Sequence, residues 1–348
     1  MAGGRLRKRG RSDVCKKEMT SSMAEINAQV VKKLRDKTGA PMMECKKALV
    51  EANGNFEQAE IILRKRGITK AGAVSMRSTK QGLIGSFVAE DGKAGVLVEV
   101  NCESDFVART EDFQTLAADV AAHIAETKPK AVRLEEVTEA ERAHIKQHET
   151  LYEQQFTKDQ STTVGELVKT KIAKLGENIN ISRFVVYQVN GNGIAGSYVH
   201  TGAQIGVLLE VNTGSPETLR KAEFKVLVRD VAMQVAAASP QFLDKDHVSP
   251  DVLQKERDIQ KERARGEGKP EKMLDKIVEG RLSKFYEEIC LMEQPFIREN
   301  TMTVAELVRN TGSKLGDNNI RIARFVRYKV GDAGDAPGVQ ASPLPVTP

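Results

Sequence analysis

Apolar residues recur at helical spacing in three short bursts near the start of the chain. Ile26, Val30, Val31 and Leu34 fall on one stripe that stops at Thr38-Gly39. Pro41 suits the first turn of a second helix, which carries Met42, Cys45, Leu49 and Val50 to a stop at Asn53-Gly54. Asn55 can cap a third, with Phe56, Ala59, Ile62 and Leu63 inward and Gly67 as its end. Residues 23–67 therefore predict a three-helix module, too short to bury a large core. Residues 68–81 lack aromatics and hold few large apolar residues, which reads as a linker.

The pattern then repeats itself. Gly85-Ser86-Phe87-Val88 matches Gly196-Ser197-Tyr198-Val199, and Gly95-Val96-Leu97-Val98-Glu99-Val100-Asn101 matches Gly206-Val207-Leu208-Leu209-Glu210-Val211-Asn212, both at an offset of 111. Val120-Ala121-Ala122 keeps that offset against Val231-Ala232-Met233. A later pair, Thr163 to Val168 and Thr303 to Val308, is offset by 140, as is Lys174 to Asn178 against Lys314 to Asn318. Each half closes on a β-branched and aromatic strand, Arg183 to Val189 and Arg324 to Val330. The order strand, strand, helices, strand predicts an α+β fold: two antiparallel-sheet subdomains covered by helices, over 82–190 and 191–330.

The second half is longer by 29 residues, between Pro240 and Thr303. Ser249-Pro250 opens a helix there, Gly266-Glu267-Gly268-Lys269-Pro270 turns it, and Leu274, Val278, Leu282, Phe285 and Ile289 follow helical spacing on the return. An antiparallel helical hairpin, a coiled coil over about 249–292, is expected to project from the body. From Gly331 the Gly, Ala and Pro content predicts a disordered tail, 331–348.

Charge sharpens the boundary at the other end. Residues 1–22 hold Arg5, Arg7, Lys8, Arg9, Arg11, Lys16 and Lys17 against Asp13 and Glu18, which accounts for the whole net charge of +5. The rest carries 46 basic and 46 acidic residues. A fold that grips phosphate backbones concentrates basic charge on its folded surface, and 5% aromatics without Trp leave few stacking platforms. Direct nucleic-acid binding is thus not expected of the body; an RNA or ribosome contact would have to use 1–22. That extension lacks the apolar core of a secretory signal, and amphipathic order starts just after Met23, so a natural start at Met23 is expected. No stretch approaches the roughly 20 apolar residues of a bilayer span, so no membrane contact is expected. Cys15, Cys45, Cys102 and Cys290 show no paired spacing, which fits reduced thiols and a cytoplasmic setting.

Catalytic constellations are scarce. There is no phosphate-binding loop, no GxGxxG after a strand and no GxSxG. His144 and His148 share a predicted helix face at i, i+4, a zinc-compatible spacing, but no third ligand lies near them in sequence and a solvated face accounts for them. No cofactor, no metal and no bond-making chemistry is expected.

One segment occurs once where its surroundings occur twice: Asn101-Cys102-Glu103-Ser104-Asp105-Phe106-Val107-Ala108-Arg109. It follows a strand and precedes a helix striped by Phe113, Leu116, Val120 and Ile124. An acidic residue followed by Phe at such a turn can present a carboxylate and an apolar wedge together. Phe106 also lies one heptad before Phe113 and can instead continue the buried stripe. The second copy has Asn212-Thr213-Gly214-Ser215-Pro216-Glu217 here, with neither Asp nor Phe. Met42 and Met43 form a second candidate surface; neighbours on a helix point about 100° apart, so one is expected to pack inside and the other to face out.

Together these segments resemble the bacterial translation elongation factor Ts family, over nearly all of 23–330. Met23 to Leu49 resembles the family's ubiquitin-associated-like N-terminal module. Asn101 to Val107 resembles its Thr-Asp-Phe-Val signature, with Ser104 for Thr and Asp105, Phe106 and Val107 in place. Leu175 to Ile181 and Gly196 to His200 resemble further family segments. The resemblance implies a guanine-nucleotide exchange factor for the GTPase elongation factor Tu, without chemistry of its own, and leaves room for higher-order assembly of the complex. It implies that Asp105 and Phe106 enter near the magnesium and nucleotide, that Leu34, Met42 and Met43 meet a helix of the GTPase domain, and that Gly176 and His200 add contacts from the core. The hairpin corresponds to the family's coiled-coil projection and favours a bacterial origin. The family's C-terminal helical segment is not recognisable after Gly331. A ubiquitin-binding interaction module is the rival that the N-terminal resemblance suggests.

Overall fold

The structure, a computed structural model, describes residues 27–332. Expectations for the basic extension, the Met23 start, Ile26 and the tail past 332 lie outside those residues. The described chain forms two compact units, one from 27–77 with 165–179, the other from 78–164 with 180–332.

In the first unit, α1 (Ala28–Thr38) starts where the Asn27 side chain accepts from the Gln29 amide at 2.9 Å and ends at Gly39, whose φ of 66° needs no Cβ. The next helices are α2 (Met42–Glu51), after Pro41, and α3 (Phe56–Val74), capped by Asn55. Val31, Leu34, Cys45, Leu49, Ala59 and Leu63 form their shared core. Burial pushes the Cys45 thiol pKa up, which leaves it inert. One expectation is corrected here. Gly67 does not end the third helix; α3 runs on through the expected linker to Val74. A Cβ at Gly67 would lie 3.1 Å from the Ala173 Cβ, so this glycine serves close approach of the helix Val164–Leu175 rather than termination. Asn178 fastens the same segment, donating to the carbonyls of Ser75 and Arg77 at 3.1 and 2.8 Å.

In chain order the second unit contains β1 (Gln81–Val88), β2 (Ala94–Cys102), α4 (Asp105–Ala108), α5 (Glu111–Thr127), α6 (Glu139–Arg142), and the ribbon β3 (Gln155–Phe156) with β4 (Asp159–Thr163). Helix α7 is the segment Val164–Leu175 already described, and β5 (Ile179–Gln188) returns to the first sheet. The second copy follows with β6 (Gly193–Val199), β7 (Ile205–Asn212), α8 (Ala222–Ala238), the arms α9 (Pro250–Gly266) and α10 (Leu274–Ile289), the ribbon β8 (Pro295–Phe296) with β9 (Glu299–Thr303), α11 (Val304–Leu315) and β10 (Arg321–Lys329). Two three-stranded sheets result, ordered β1-β2-β5 and β10-β7-β6. The fold is α+β, with antiparallel pairing in both sheets.

The two sheets meet at a seam of Ile84, Leu97, Tyr187 and Val189 against Ala195, Leu208, Val326 and Tyr328. Equivalent glycines permit the approach. A Cβ on Gly95 would come within 2.7 Å of Leu208, and one on Gly206 would strike Ile84. Part of one edge of each sheet, on β1 and on β6, is capped by the other copy's hairpin turn. The Ile84 amide donates to the Ala203 carbonyl and the Ala195 amide to that of Gly92, both at 2.7 Å. Gln204 Nε2 donates to the Gly82 carbonyl at 2.7 Å and Lys93 Nζ to that of Gly193 at 2.8 Å. Reciprocal capping of this kind shields the stretches of edge that it covers.

The hairpin forms where its length difference predicts it. Ala264, Leu274, Val278 and Leu282 are buried, and Arg281 bonds Glu267 at 2.6 Å. His144 and His148 do not share a helix: α6 stops at Arg142, and His148 lies in a separate 3-10 turn, Gln147–Glu149. Among the described residues no group of three or more His, Cys, Asp and Glu is arranged to hold a metal. None of their helices is long and apolar enough to cross a membrane.

Candidate functional site

The single-copy segment forms a short helical tip. Strand β2 ends at Cys102, whose Sγ donates to the Ser104 carbonyl at 3.1 Å. Ser104 is extended and caps α4, its Oγ accepting from the Val107 amide at 3.3 Å. After one turn, Thr110 returns to extended backbone (ψ 145°) and caps α5 through the Phe113 amide. That second cap settles the two readings of Phe106. The helical phase is reset at Thr110, so the seven-residue spacing to Phe113 does not keep both rings on one face. Phe113 is fully buried, whereas Phe106 is 79% exposed. Within α4, Ala108 points into the fold, and Phe106, two positions back and about 200° round the helix, points out.

Asp105 opens the turn, half exposed, and Arg109 donates to its carboxylate at 2.8 Å. Val107 is half-buried, and its carbonyl accepts from the Thr110 hydroxyl at 2.7 Å. Ser104, Asp105 and Arg109 line one wall of an open cleft of about 1160 Å³. His200, Gly202 and Gln204, from the β6–β7 turn, line the other. His200 is exposed, and its Nδ1 is 3.0 Å from the Tyr198 hydroxyl. The second unit thus brings Ser104, Asp105 and His200 onto one cleft, with Phe106 outward beside it.

In the first unit both methionines are exposed, Met42 at 42% and Met43 at 62%. The expectation that one packs inside is corrected. The inward positions of α2 are Cys45, Ala48 and Leu49; long helical side chains lean toward the N-terminus, and at the first turn no further turn of α2 lies there to receive them. Leu34 is fully buried in the module's own core, so its side chain is not presented to a partner in this conformation. Gly176 is exposed, closes α7 at φ 80°, and donates its amide to the Ile172 carbonyl at 2.8 Å.

Arg109 is the residue that sequence reasoning passed over. The signal was present: Asp105 and Arg109 are four apart, the spacing at which opposite charges meet on a helix.

An outward Phe thus follows an Asp on one tip of a duplicated scaffold whose other tip has neither residue. The family model described as Elongation factor TS matches residues 103–332. Elongation factor Ts of Nostoc punctiforme is 41% identical over 313 residues, covering 89% of this chain and 94% of that protein. Elongation factor Ts of Aquifex aeolicus is 42% identical over 306 residues, covering 88% and 98%. The protein is a translation elongation factor. It belongs to the elongation factor Ts family.

Proposed function

We propose that this chain is a guanine-nucleotide exchange factor for the GTPase elongation factor Tu, acting through the Asp105–Phe106 tip. The observation that carries the reading is the 79% exposure of Phe106 on the helical tip that also presents Asp105 and that the second copy does not repeat, because a rigid outward aromatic ring is the kind of side chain that anchors an interface. The GTPase holds its nucleotide and magnesium by many contacts to the phosphates. A rigid wedge that fits only when those contacts are distorted weakens nucleotide binding by the factor by which nucleotide weakens its own. No bond is made or broken, so the factor needs no cofactor. Phe106 supplies the wedge, Asp105 places a carboxylate beside the magnesium and phosphate region, and Ser104 and Val107 hold the turn that aims them. His200 faces the partner across the cleft. Met42 and Met43 meet a partner helix with adaptable side chains, while Leu34 serves from within by seating α1, and Gly176 lets α7 end at the surface.

The test is release of a fluorescent GDP from elongation factor Tu, with this protein and with its Phe106→Ala variant. Wild-type acceleration lost in the variant is expected. No acceleration by the wild type would overturn the function, and acceleration unchanged by the variant would remove Phe106 from it.

A further inference from the structure

The cleft runs along a sheet edge, lined there by Gln81, Leu83, Ile84, Gly85 and Ser86 of β1. Strand β1 is the outer strand of its sheet. In its register with β2, Ile84 faces Glu99 and Ser86 faces Leu97. The Ile84 amide points away from β2, to the Ala203 carbonyl, and the Gly82 carbonyl does the same toward Gln204. Backbone direction alternates along a strand, so the amide and carbonyl of Ser86 point outward as well, as does the Ile84 carbonyl. Ile84, Gly85 and Ser86 all line the cleft. Among the described residues, no hydrogen bond is made by those outward groups of Ser86 or by its hydroxyl. The turn at Ala203 caps the edge up to Ile84 and stops there, leaving open the stretch that runs beside the tip.

We infer that this open edge takes an extended segment of the GTPase partner as an added β-strand, docked next to the Asp105–Phe106 wedge. The inference rests on the exchange-factor reading and deepens it by naming how the partner's backbone is held. Three features favour an extended segment over a helix. The outward amide and carbonyl of Ser86 offer a donor–acceptor pair on one residue, the unit that an antiparallel strand satisfies. Ala203 already adds its carbonyl to the same edge, so the edge accepts main chain there. The wall on the α5 side is Gln114, Ala117 and Ala118; the two alanines leave room for side chains of an added strand, and Gln114 offers one a polar partner. Asp105 belongs to the same cleft, so a strand seated there lies against the wedge, and its main-chain bonds would fix how deeply the wedge enters.

Amide exchange followed by NMR on the full chain, alone and bound to nucleotide-free elongation factor Tu, reads this directly. The Ser86 amide should exchange in the free protein and slow at least about tenfold in the complex, the size of one hydrogen bond. The Gly85 amide faces β2 and should be protected in both states. Proline at an outward-facing edge position removes a donor without touching the ladder, so Ser86→Pro should weaken the complex about tenfold while Ser86→Ala changes it less than about twofold. A complex that forms with the Ser86 amide still exchanging freely overturns the inference and leaves the exchange function standing. Protection that appears with rising concentration of the factor alone assigns the edge to a second copy and overturns it too. Failure to form any complex overturns both readings at once.

Discussion

The two strand-to-helix tips, 102–107 and 213–218, occupy equivalent places in a duplicated scaffold and are held in opposite ways. The second is tied down by one carboxylate. Asp317, 6% exposed, accepts from the amides of Gly214, Ser215 and Asn319 and from the Thr218 hydroxyl, at 2.8 to 3.1 Å. The first is held by its own caps, Ser104 and Thr110, and turns its largest side chain to water. A buried carboxylate satisfied by four donors is a stability device; an exposed phenyl ring is not. Duplication thus gave one scaffold two tips, one tied down from within and the other with its largest side chain exposed.

The comparison breaks most visibly if the first tip is given the sequence of the second. Asp105→Pro with Phe106→Glu copies Pro216 and Glu217 onto the first tip. Proline suits the first helical position, so the fold should survive, with unfolding transitions close to wild type by circular dichroism. GDP release from elongation factor Tu should lose about a hundredfold of its acceleration, as expected when a hot-spot aromatic is removed from the centre of an interface. Retained acceleration would mean that the tip is not the point of action.

The converse experiment removes cohesion from the second tip. Asp317→Ala leaves buried amides without acceptors and should cost about 2 kcal/mol in urea unfolding, with nucleotide exchange nearly unchanged. Burial alone would raise the Asp317 pKa, but the bonds from Thr218, Asn319, Gly214 and Ser215 outweigh it and hold the pKa below its usual value of 3.8. The sign follows. The unfolded chain takes up the proton first, so this stabilisation is complete above the unfolded value and is lost as pH falls through the folded one. Asp317→Asn should therefore flatten the acid limb of the stability profile.

Much of this was legible in the chain. The offset of 111 placed Gly95 opposite Gly206 and Gly85 opposite Gly196, and the 29-residue excess located the hairpin, because repeats and length differences are counted directly. What the pattern missed depends on neighbours from afar. Gly67 reads as a helix stop until Ala173 is seen beside it. The capping of one copy's edge by the other copy's turn leaves no periodicity at all. The exposure of Phe106 was undecidable from spacing, since heptad logic assumes one continuous helix and Thr110 interrupts it.

The same offsets expose a pair that differs only in titration. His123 sits where the second copy has Gln234. His123 Nε2 lies 3.1 Å from Gln154 Oε1 and its Nδ1 accepts from the Thr157 amide at 3.3 Å. Gln234 donates to Gln294 at 3.1 Å and accepts from the Ile297 amide at 2.8 Å. Glutamine therefore fits this geometry. Burial lowers the His123 pKa from its ordinary 6.5, so the unfolded state protonates first and stability falls as pH drops below 6.5. His123→Gln should remove a slope of at most about 1.4 kcal/mol per pH unit between 6.5 and the lowered folded value, read from thermal unfolding at successive pH. An unchanged slope would assign the acid sensitivity elsewhere.

The smallest effect expected concerns Arg109, whose counterpart Arg220 has Pro216, not a carboxylate, four residues before it. The pair with Asp105 spans one turn, and its side chains are 77% and 46% exposed. Exposed pairs at this spacing contribute little to stability, so Arg109→Ala should leave unfolding unchanged within error. Its work lies in aim: without the guanidinium the Asp105 carboxylate is free to rotate, and ordering it again falls on the complex. GDP release should slow by about two- to fivefold, the scale of one exposed ion pair, and the difference should shrink above about 0.5 M salt, where screening is short-ranged. Arg109→Lys should restore most of the rate, because charge rather than bidentate geometry is what this single bond uses. A salt-independent defect that lysine does not rescue would show that Arg109 touches the partner itself, a role then to be compared with that of Arg220 at the equivalent position of the second tip.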